Sequence, residues 1–356
     1  QTAQTNIGWD LGFFDGRLNI GGDFYYKKTT DLFTNVDVSP INGITSYIMN
    51  NGDMTNKGFS ISLNGYPVKT KNFRWYMSTY YSVNLNKVQT DDARNYNLND
   101  YLNGTAVVSG QPISTFYSYK FLGLNPQNGA PMFDDWEDRW HLLQGKTLDE
   151  VVPMILVNSG TRDPKFSGDL NNTFTYKNWS LSLNFSYSLG SKVRLFEMYG
   201  PIINGISAAA NVREEFLDRW QVPGDEKYTV YPSIISPSSP DYEHYRLHYS
   251  APQRAVGPNS GVPAFANNVW QMYDDSDLRV VSGNYLKLQS LSLSYRLNDR
   301  LLRKTPFTQL SISFNTHNCF TISAKELRGQ DPSQAGFADA GLSIRPSYTI
   351  GLNVSF

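Results

Sequence analysis

The sequence has one cysteine in 356 residues, Cys319. An intrachain disulfide framework and any multi-cysteine metal site are therefore excluded, and the thiol reads as an ordinary packed side chain. No run of about 18 apolar residues occurs, so no segment reads as a membrane-crossing helix. There is no excess of charge of either sign. The 31 Lys and Arg balance 32 Asp and Glu, which gives no reason to expect nucleic acid or an anionic membrane surface as partner. Charge itself is sparse, at 18% against roughly 25% for an average soluble domain. Aromatic residues are abundant instead, with 23 Tyr and 20 Phe. No signal peptide is visible and residue 1 is Gln, so the chain is expected to be processed or to be part of something longer.

What is present is alternation. In WSLSLNFSYSL (179–189), Trp179, Leu181, Leu183, Phe185, Tyr187 and Leu189 alternate with Ser and Asn. Neighbouring side chains of a strand point to opposite faces, so this stretch has one apolar face and one small-polar face. The pattern recurs throughout: Leu18, Ile20, Phe24 and Tyr26; Phe59, Ile61 and Leu63; Phe73, Trp75, Met77, Tyr81, Val83 and Leu85. It continues with Leu291, Leu293, Tyr295 and Leu297, then Leu310, Ile312 and Phe314, and ends with Tyr348, Ile350, Leu352, Val354 and Phe356. The polar face carries Ser, Asn, Gly and Thr where a water-facing surface usually carries Lys and Glu. One short exception, 211–220, places Val212, Phe216, Leu217 and Trp220 on one helical face.

The turns come in two sizes. Short ones lie at 15–16, 68–72, 176–178 and 298–306, and long ones near 38–55, 89–165, 193–283 and 324–342. Structureless connections of that length count against a compact soluble domain. Alternating short and long turns are the signature of an outer-membrane barrel, with short periplasmic turns and long extracellular loops. Strands are expected at about 5–14, 17–37, 56–67, 73–88, 166–177, 179–192, 284–297, 307–323 and 343–356. The extended stretch 112–124 is assigned to a loop, because 89–165 must begin and end on the same side. The result is nine crossings. Bacterial single-chain barrels have an even number, so the chain is expected to be part of a barrel.

Alternation of period two also occurs in soluble sandwiches and propellers. Turn asymmetry, the Ser/Asn face and the low charge favour lipid as the solvent of the apolar face. A mean hydropathy of −0.42 does not oppose this, since only alternate residues of a barrel strand are apolar. Tyr26, Trp75, Trp179 and Tyr348 near strand ends fit aromatic girdles.

Several segments resemble one family, the SusC-type (SusC/RagA-like) TonB-dependent outer-membrane transporters of Bacteroidetes. They are NIGWDLGFFDGRLNIGGDFYYKKTTDLF, NNGDMTNKGFSISL, YKFLGLNPQNGAPMFDD, GTRDPKFSGDLNNTFTYKNWSLSL, DRWQVPGDE, VSGNYLKLQSLSLSYRL and HNCFTISAKELRGQDPS. Seven in the family's order, over nearly the whole length, make the resemblance specific. Cys319 stands where the family usually has Leu, and SGDL lacks the commoner Gly-Gly pair. The resemblance implies an all-β chain, 1–356, forming the C-terminal part of an antiparallel transmembrane barrel of about 22 strands. The plug domain has no counterpart in this chain.

The same resemblance implies TonB-dependent import of a large nutrient, an oligosaccharide or sometimes a peptide, across the outer membrane of a Gram-negative bacterium. It implies a SusD-type lipoprotein lid and a TonB-ExbB-ExbD complex acting through the absent N-terminal part. It implies no cofactor, no metal, no nucleic acid and no catalysis. Loops on a rigid scaffold are where recognition usually sits. Trp136, Trp140, Tyr242, Tyr245, Trp270 and Tyr273 lie in such loops, for stacking on substrate, contact with the lid or simple loop packing. Phe356, a C-terminal aromatic on the last strand, resembles the signal read by the barrel-assembly machinery.

The alternative is a soluble or surface-attached β-rich carbohydrate-binding protein or glycoside hydrolase. FDDWEDRW clusters Asp134, Asp135, Glu137 and Asp138, and glycoside hydrolysis needs paired carboxylates. Adjacent acids in a loop say nothing about facing geometry, however, and calcium binding or plain solvation is the commoner role. His244 and His248 have helical metal spacing but no supporting ligands. No phosphate loop and no nucleophile elbow appear.

Overall fold

The computed structural model describes residues 1–37, 46–50, 52–89, 96–134, 136, 138–200, 212–234, 238–239, 241–247, 268–334 and 345–356. Among these residues nine strands form one antiparallel sheet in which each pairs with its neighbours in chain order. They are β1 (Thr2–Phe13), β2 (Leu18–Thr29), β3 (Asp53–Lys69), β4 (Phe73–Gln89), β5 (Phe166–Tyr176), β6 (Trp179–Leu189), β7 (Tyr285–Arg296), β8 (Gln309–Ser323) and β9 (Ser347–Ser355). Each overlaps a stretch in which alternation places a strand. Short turns join β1–β2, β3–β4, β5–β6 and β7–β8 at one end. Long connections join the others at the opposite end.

The register turns alternation within strands into bands across them. Trp75, Phe174, Leu181, Leu293, Phe314 and Ile350 lie opposite one another across six strands. On the other face, Gly12, Asn19, Asn64, Ser78, Asn171, Asn184, Ser290, His317 and Ser347 form one row across all nine. A one-residue slip of any strand would put apolar groups into the polar row, so the two-faced pattern pins the register.

The apolar face is open. Phe314 is 38% exposed, Ile312 50% and Ile350 76%, far more than a sandwich core allows. Soluble monomers rarely leave a contiguous apolar patch of more than a few hundred Å² uncovered. Two polar groups on this face find partners within the sheet. Asn172 Oδ1 accepts the Trp75 indole N–H at 2.9 Å, and the Thr79 hydroxyl donates to the Asp169 carbonyl at 2.8 Å. In hydrocarbon an unpaired polar group would cost several kcal/mol.

The polar face is laced instead by side-chain hydrogen bonds. Ser78 donates to Asn64 and Ser292 to Asn315, both at 2.6 Å, and Gln289 donates to Ser186 at 2.8 Å.

Local chemistry explains the turns. In the first, Phe14, Asp15 and Gly16 all have positive φ. Gly16 takes that conformation without strain, which reverses the chain sharply. Lys177, φ 51°, opens the two-residue turn between the Tyr176–Trp179 pair. Gly22 on the apolar face is required by packing: a Cβ there would sit 2.5 Å from the Trp9 ring.

Two expectations need correction. The strand expected to run over 17–37 ends at Thr29. Asp31 has φ 57°, which breaks the extended chain, and Phe33–Asp37 instead pairs with Ser46–Asn50 as a separate hairpin. Segment 38–45 lies outside the described residues. The helical face over 211–220 reduces to one 3-10 stretch, Glu214–Asp218. Phe216 and Trp220 are buried while Val212 and Leu217 are exposed, and residue 211 is not described. The stretch 112–124 is extended, as expected, and stays in the loops. Thr115–Tyr119 pairs with Leu156–Thr161, and Gly123–Leu124 with Pro131–Met132.

Candidate functional site: the folded loop cap

The described residues of the two longest connections, within 96–165 and 190–284, pack into a subdomain with its own core. Sequence reasoning treated them as loops. Yet α1 (Leu98–Asn103) and α2 (Leu148–Ile155) are each opened by a capping box, Asn97 with Asp100 and Thr147 with Glu150. The N-x-x-D and T-x-x-E spacings were readable signals of helix starts. α3 (Tyr242–Leu247) and α4 (Val269–Asp274) are further helices among the described residues of this region.

Tyr101, Leu102, Tyr119, Phe133, Leu143, Val151, Val152, Met198, Tyr199, Trp270, Met272 and Tyr273 form the core. Its aromatic rings meet mostly edge to face: Tyr119 with Phe133 at 6.0 Å, Phe121 with Tyr273 at 5.7 Å and Tyr199 with Tyr273 at 5.5 Å. Such pairs add about 1 kcal/mol each beyond the area they bury.

Buried charge joins the distant parts of the loops. The Asp274 carboxylate, at the end of α4, accepts the backbone N–H groups of Met198, Tyr199 and Gly200, each at 2.8 Å. Burial pushes its pKa up to about 6, while Arg279 and the three amides pull the other way. The neighbouring Asp275 is likewise pushed up to about 6 by burial, opposed by Arg194. Arg194 donates to Asp275 at 2.8 Å, to the Tyr117 and Leu102 carbonyls at 2.6 and 2.9 Å, and to the Ser118 hydroxyl at 2.8 Å. One guanidinium thus ties three segments of the cap together.

The last long connection is fastened to the same body. Gln330 accepts the Phe196 N–H at 3.1 Å and donates to the Arg194 carbonyl at 3.2 Å. Asp331 pairs with Lys287 of β7 at 3.1 Å in a buried ion pair. Leu327 packs on Val193 and Leu195. The RGQDPS segment therefore pins the cap to the wall.

All six loop aromatics singled out from sequence converge here. Trp136 is buried with the Arg139 guanidinium 4.4 Å from its ring centre. Tyr242 stacks on Trp270 at 5.8 Å, and both are buried. Tyr273 is 0% exposed. Trp140 and Tyr245 are only partly buried against the core, and the Tyr245 hydroxyl accepts from Asn125 and Asn128, each at 3.0 Å. Phe356 is exposed, with its ring 5.2 Å from that of Phe307.

In the acidic cluster, Asp134 forms a bidentate pair with Arg139 and Asp138 a second contact. Asp135 and Glu137 lie outside the described residues, as does His248. His244 packs edge to face on Tyr245 at 5.2 Å. Among the described residues no three metal-ligating side chains converge.

The family model for the TonB dependent receptor-like beta-barrel matches residues 1–213. The chain belongs to that family. Curated relatives include TonB-dependent receptors P3 and P39 of Formosa agariphila, each 24% identical over 100% of this chain. This chain covers 34% and 36% of them, so it spans about a third of their length. TonB-dependent receptor SusC of Bacteroides thetaiotaomicron is 28% identical over 57% of the chain and 20% of its own length. Among solved structures, the RagAB peptide transporter superposes with a TM-score of 0.71 at 21% identity, covering 100% of this chain and 35% of that one.

A receptor barrel of this family resides in the outer membrane of a Gram-negative bacterium. The open apolar face then has its solvent, and the reading as a soluble sandwich falls. The family is one of receptors rather than catalysts.

Proposed function

We propose that this chain is the C-terminal part of the barrel of a TonB-dependent importer. The complete wall would have about 22 strands, of which these are nine. The long loops would be extracellular and cap the mouth of a polar lumen. The substrate is a large hydrated nutrient, an oligosaccharide first and a peptide second. A SusD-type lipoprotein closes over the loops, and a TonB-ExbB-ExbD complex supplies energy through an N-terminal plug.

One observation carries this reading: a sheet with an open apolar face and an opposite face lined mainly by Ser, Asn and Gly, with Asp10, Asp23 and Asp169 among them, under loops with a packed core of their own. Small polar groups let a hydrated solute pass without sticking, and a pre-folded cap presents binding groups at low entropic cost. Trp140 and Tyr245, the partly exposed aromatics, are the residues proposed for substrate or lid contact. Trp136, Tyr242, Trp270 and Tyr273 hold the shape behind them, and Phe356 serves barrel assembly.

The test is uptake. A strain lacking the full-length protein, grown on candidate glycans or peptides as sole nutrient, should lose growth on one of them. Wild-type protein should restore growth, and a form unable to engage TonB should not. Growth unchanged on every nutrient, or rescue without TonB, would refute import.

A further inference from the structure

The chain is balanced in total charge, but its two ends are not. The short turns, with the strand residues that close them, occupy 14–17, 69–74, 176–179 and 296–309. The first carries Arg17, the second Lys69, Lys71 and Arg74, the third Lys177, and the fourth Arg296, Arg300, Arg303 and Lys304. Against these nine cations stand two acids, Asp15 and Asp299. In a chain of net charge −1, the short-turn rim is strongly positive and the remainder negative.

None of the nine is ion-paired among the described residues. Two lie along aromatic rings at the rim. Lys177 Nζ is 5.3 Å from the Tyr176 ring centre and Lys69 Nζ is 5.2 Å from that of Tyr66. Tyr176 is an exposed residue of the apolar face, so Lys177 spans the edge of the apolar band, apolar stem along the ring and charge beyond it.

The same rim has a hollow of about 480 Å³ between the first two hairpins. Phe14 and Leu18 form one side, Leu63, Pro67 and Met77 the other, and Arg17 belongs to its lining. The hollow lies at a break in strand register between Gly65 and Val68, where β3 bulges just before its short turn. Leu18, Leu63 and Met77 belong to the apolar face, so the hollow opens where hydrocarbon gives way to headgroups.

We propose that this rim binds anionic glycerophospholipid of the leaflet it meets, with phosphate held by the basic turns and an acyl chain in the hollow beside Arg17. The proposal rests on the reading of the sheet as a membrane wall with its short turns at the periplasmic boundary. Unpaired cations at the edge of an apolar band attract lipid phosphate, each strengthening binding by about fivefold near the surface, and the hollow adds a place for a chain that a flat wall lacks.

The test uses the full-length protein, released from lipid nanodiscs and titrated with phosphatidylglycerol or phosphatidylethanolamine of identical chains. Native mass spectrometry reads the bound lipid. Wild type should prefer phosphatidylglycerol by at least about tenfold in 50 mM ammonium acetate, and most of that preference should vanish at 500 mM through screening. Arg17→Gln, Lys69→Gln and Lys71→Gln together should lower it at least about fivefold. The same change at Lys146, Lys165 and Lys227, in the long connections, should leave it intact. Leu18→Trp, which obstructs the hollow, should weaken both lipids alike.

Equal affinity for the two lipids in wild type overturns the proposal. So does a preference that survives the salt step or the triple substitution, or a Leu18→Trp protein that binds both as before. Should the triple variant not fold, the salt step on wild type decides. A protein that stays monodisperse without detergent and never enters nanodiscs would instead refute the membrane wall itself.

Discussion

Asp274→Ala tests whether the cap is a folded body or a set of independent loops. The substitution removes the acceptor for three buried N–H groups, those of Met198, Tyr199 and Gly200. Each buried donor left unpaired costs about 1–3 kcal/mol, or roughly 3–9 kcal/mol together. Removing a carboxylate whose burial is itself unfavourable returns roughly 3 kcal/mol of this. A net loss of about 3 kcal/mol, the middle of the resulting range, corresponds to roughly 100-fold faster opening, since about 1.4 kcal/mol is tenfold. The assay is hydrogen–deuterium exchange on full-length protein in nanodiscs. Peptides over 198–200 and over α4 should lose protection by that factor. The β6 segment should not change, because its backbone bonds run strand to strand. Asp274→Asn keeps one acceptor oxygen and should fall between wild type and Ala. Unchanged protection at 198–200 in the Ala variant, or equal loosening of β6, would refute the reasoning.

Two further outcomes follow from charge. Asp331→Ala leaves the Lys287 ammonium buried without its partner and should destabilise the 324–334 segment by about 3–5 kcal/mol, read as faster limited proteolysis there. Lys287→Met with Asp331→Leu should recover much of the loss, because neither charge then remains buried. The Asp274 and Asp275 carboxyls, pushed to about 6 from an ordinary 3.8, take up protons in the folded cap before they do in an unfolded chain. Their contribution to cap stability is full below about pH 4 and is lost as pH rises through 6. Exchange protection at 198–200 should therefore increase as pH falls from 7 to 5, after correction for intrinsic rates.

The wall was legible in the sequence and the cap was not, for reasons seen in particular residues. Trp179–Leu189 alternates without a break because one side meets hydrocarbon and the other water, and period two is the only pattern that serves both. Alternation could not say where β2 stops. Phe33 to Asp37 continues to look like strand, and only the positive φ of Asp31 diverts it. In the cap the decisive contacts are non-local and aperiodic. Asp274 meets Met198 across 76 residues and Arg194 meets Leu102 across 92, distances at which no local pattern operates. The aromatics there read equally as binding groups, lid contacts or loop packing, because residue type and loop position do not separate these. Burial of Tyr273 and Trp270 reflects a core that the capping boxes alone announced. The balanced composition likewise hid the basic rim, since a sum over the chain carries no positional information.

The most direct measurement places a nitroxide label on each face of the last strands. In full-length protein carrying Cys319→Ser and reconstituted in lipid, single cysteines at Leu293, Ile312, Ile350 and Leu352 are compared with others at Ser292, Ser313 and Thr349. Power saturation then reads contact with lipid-soluble oxygen against a water-soluble nickel complex. Labels at the first set should meet oxygen and exclude nickel, and those at the second should do the reverse. Nickel reaching both sets equally, or neither set reaching oxygen, would contradict the claim that hydrocarbon covers the apolar face.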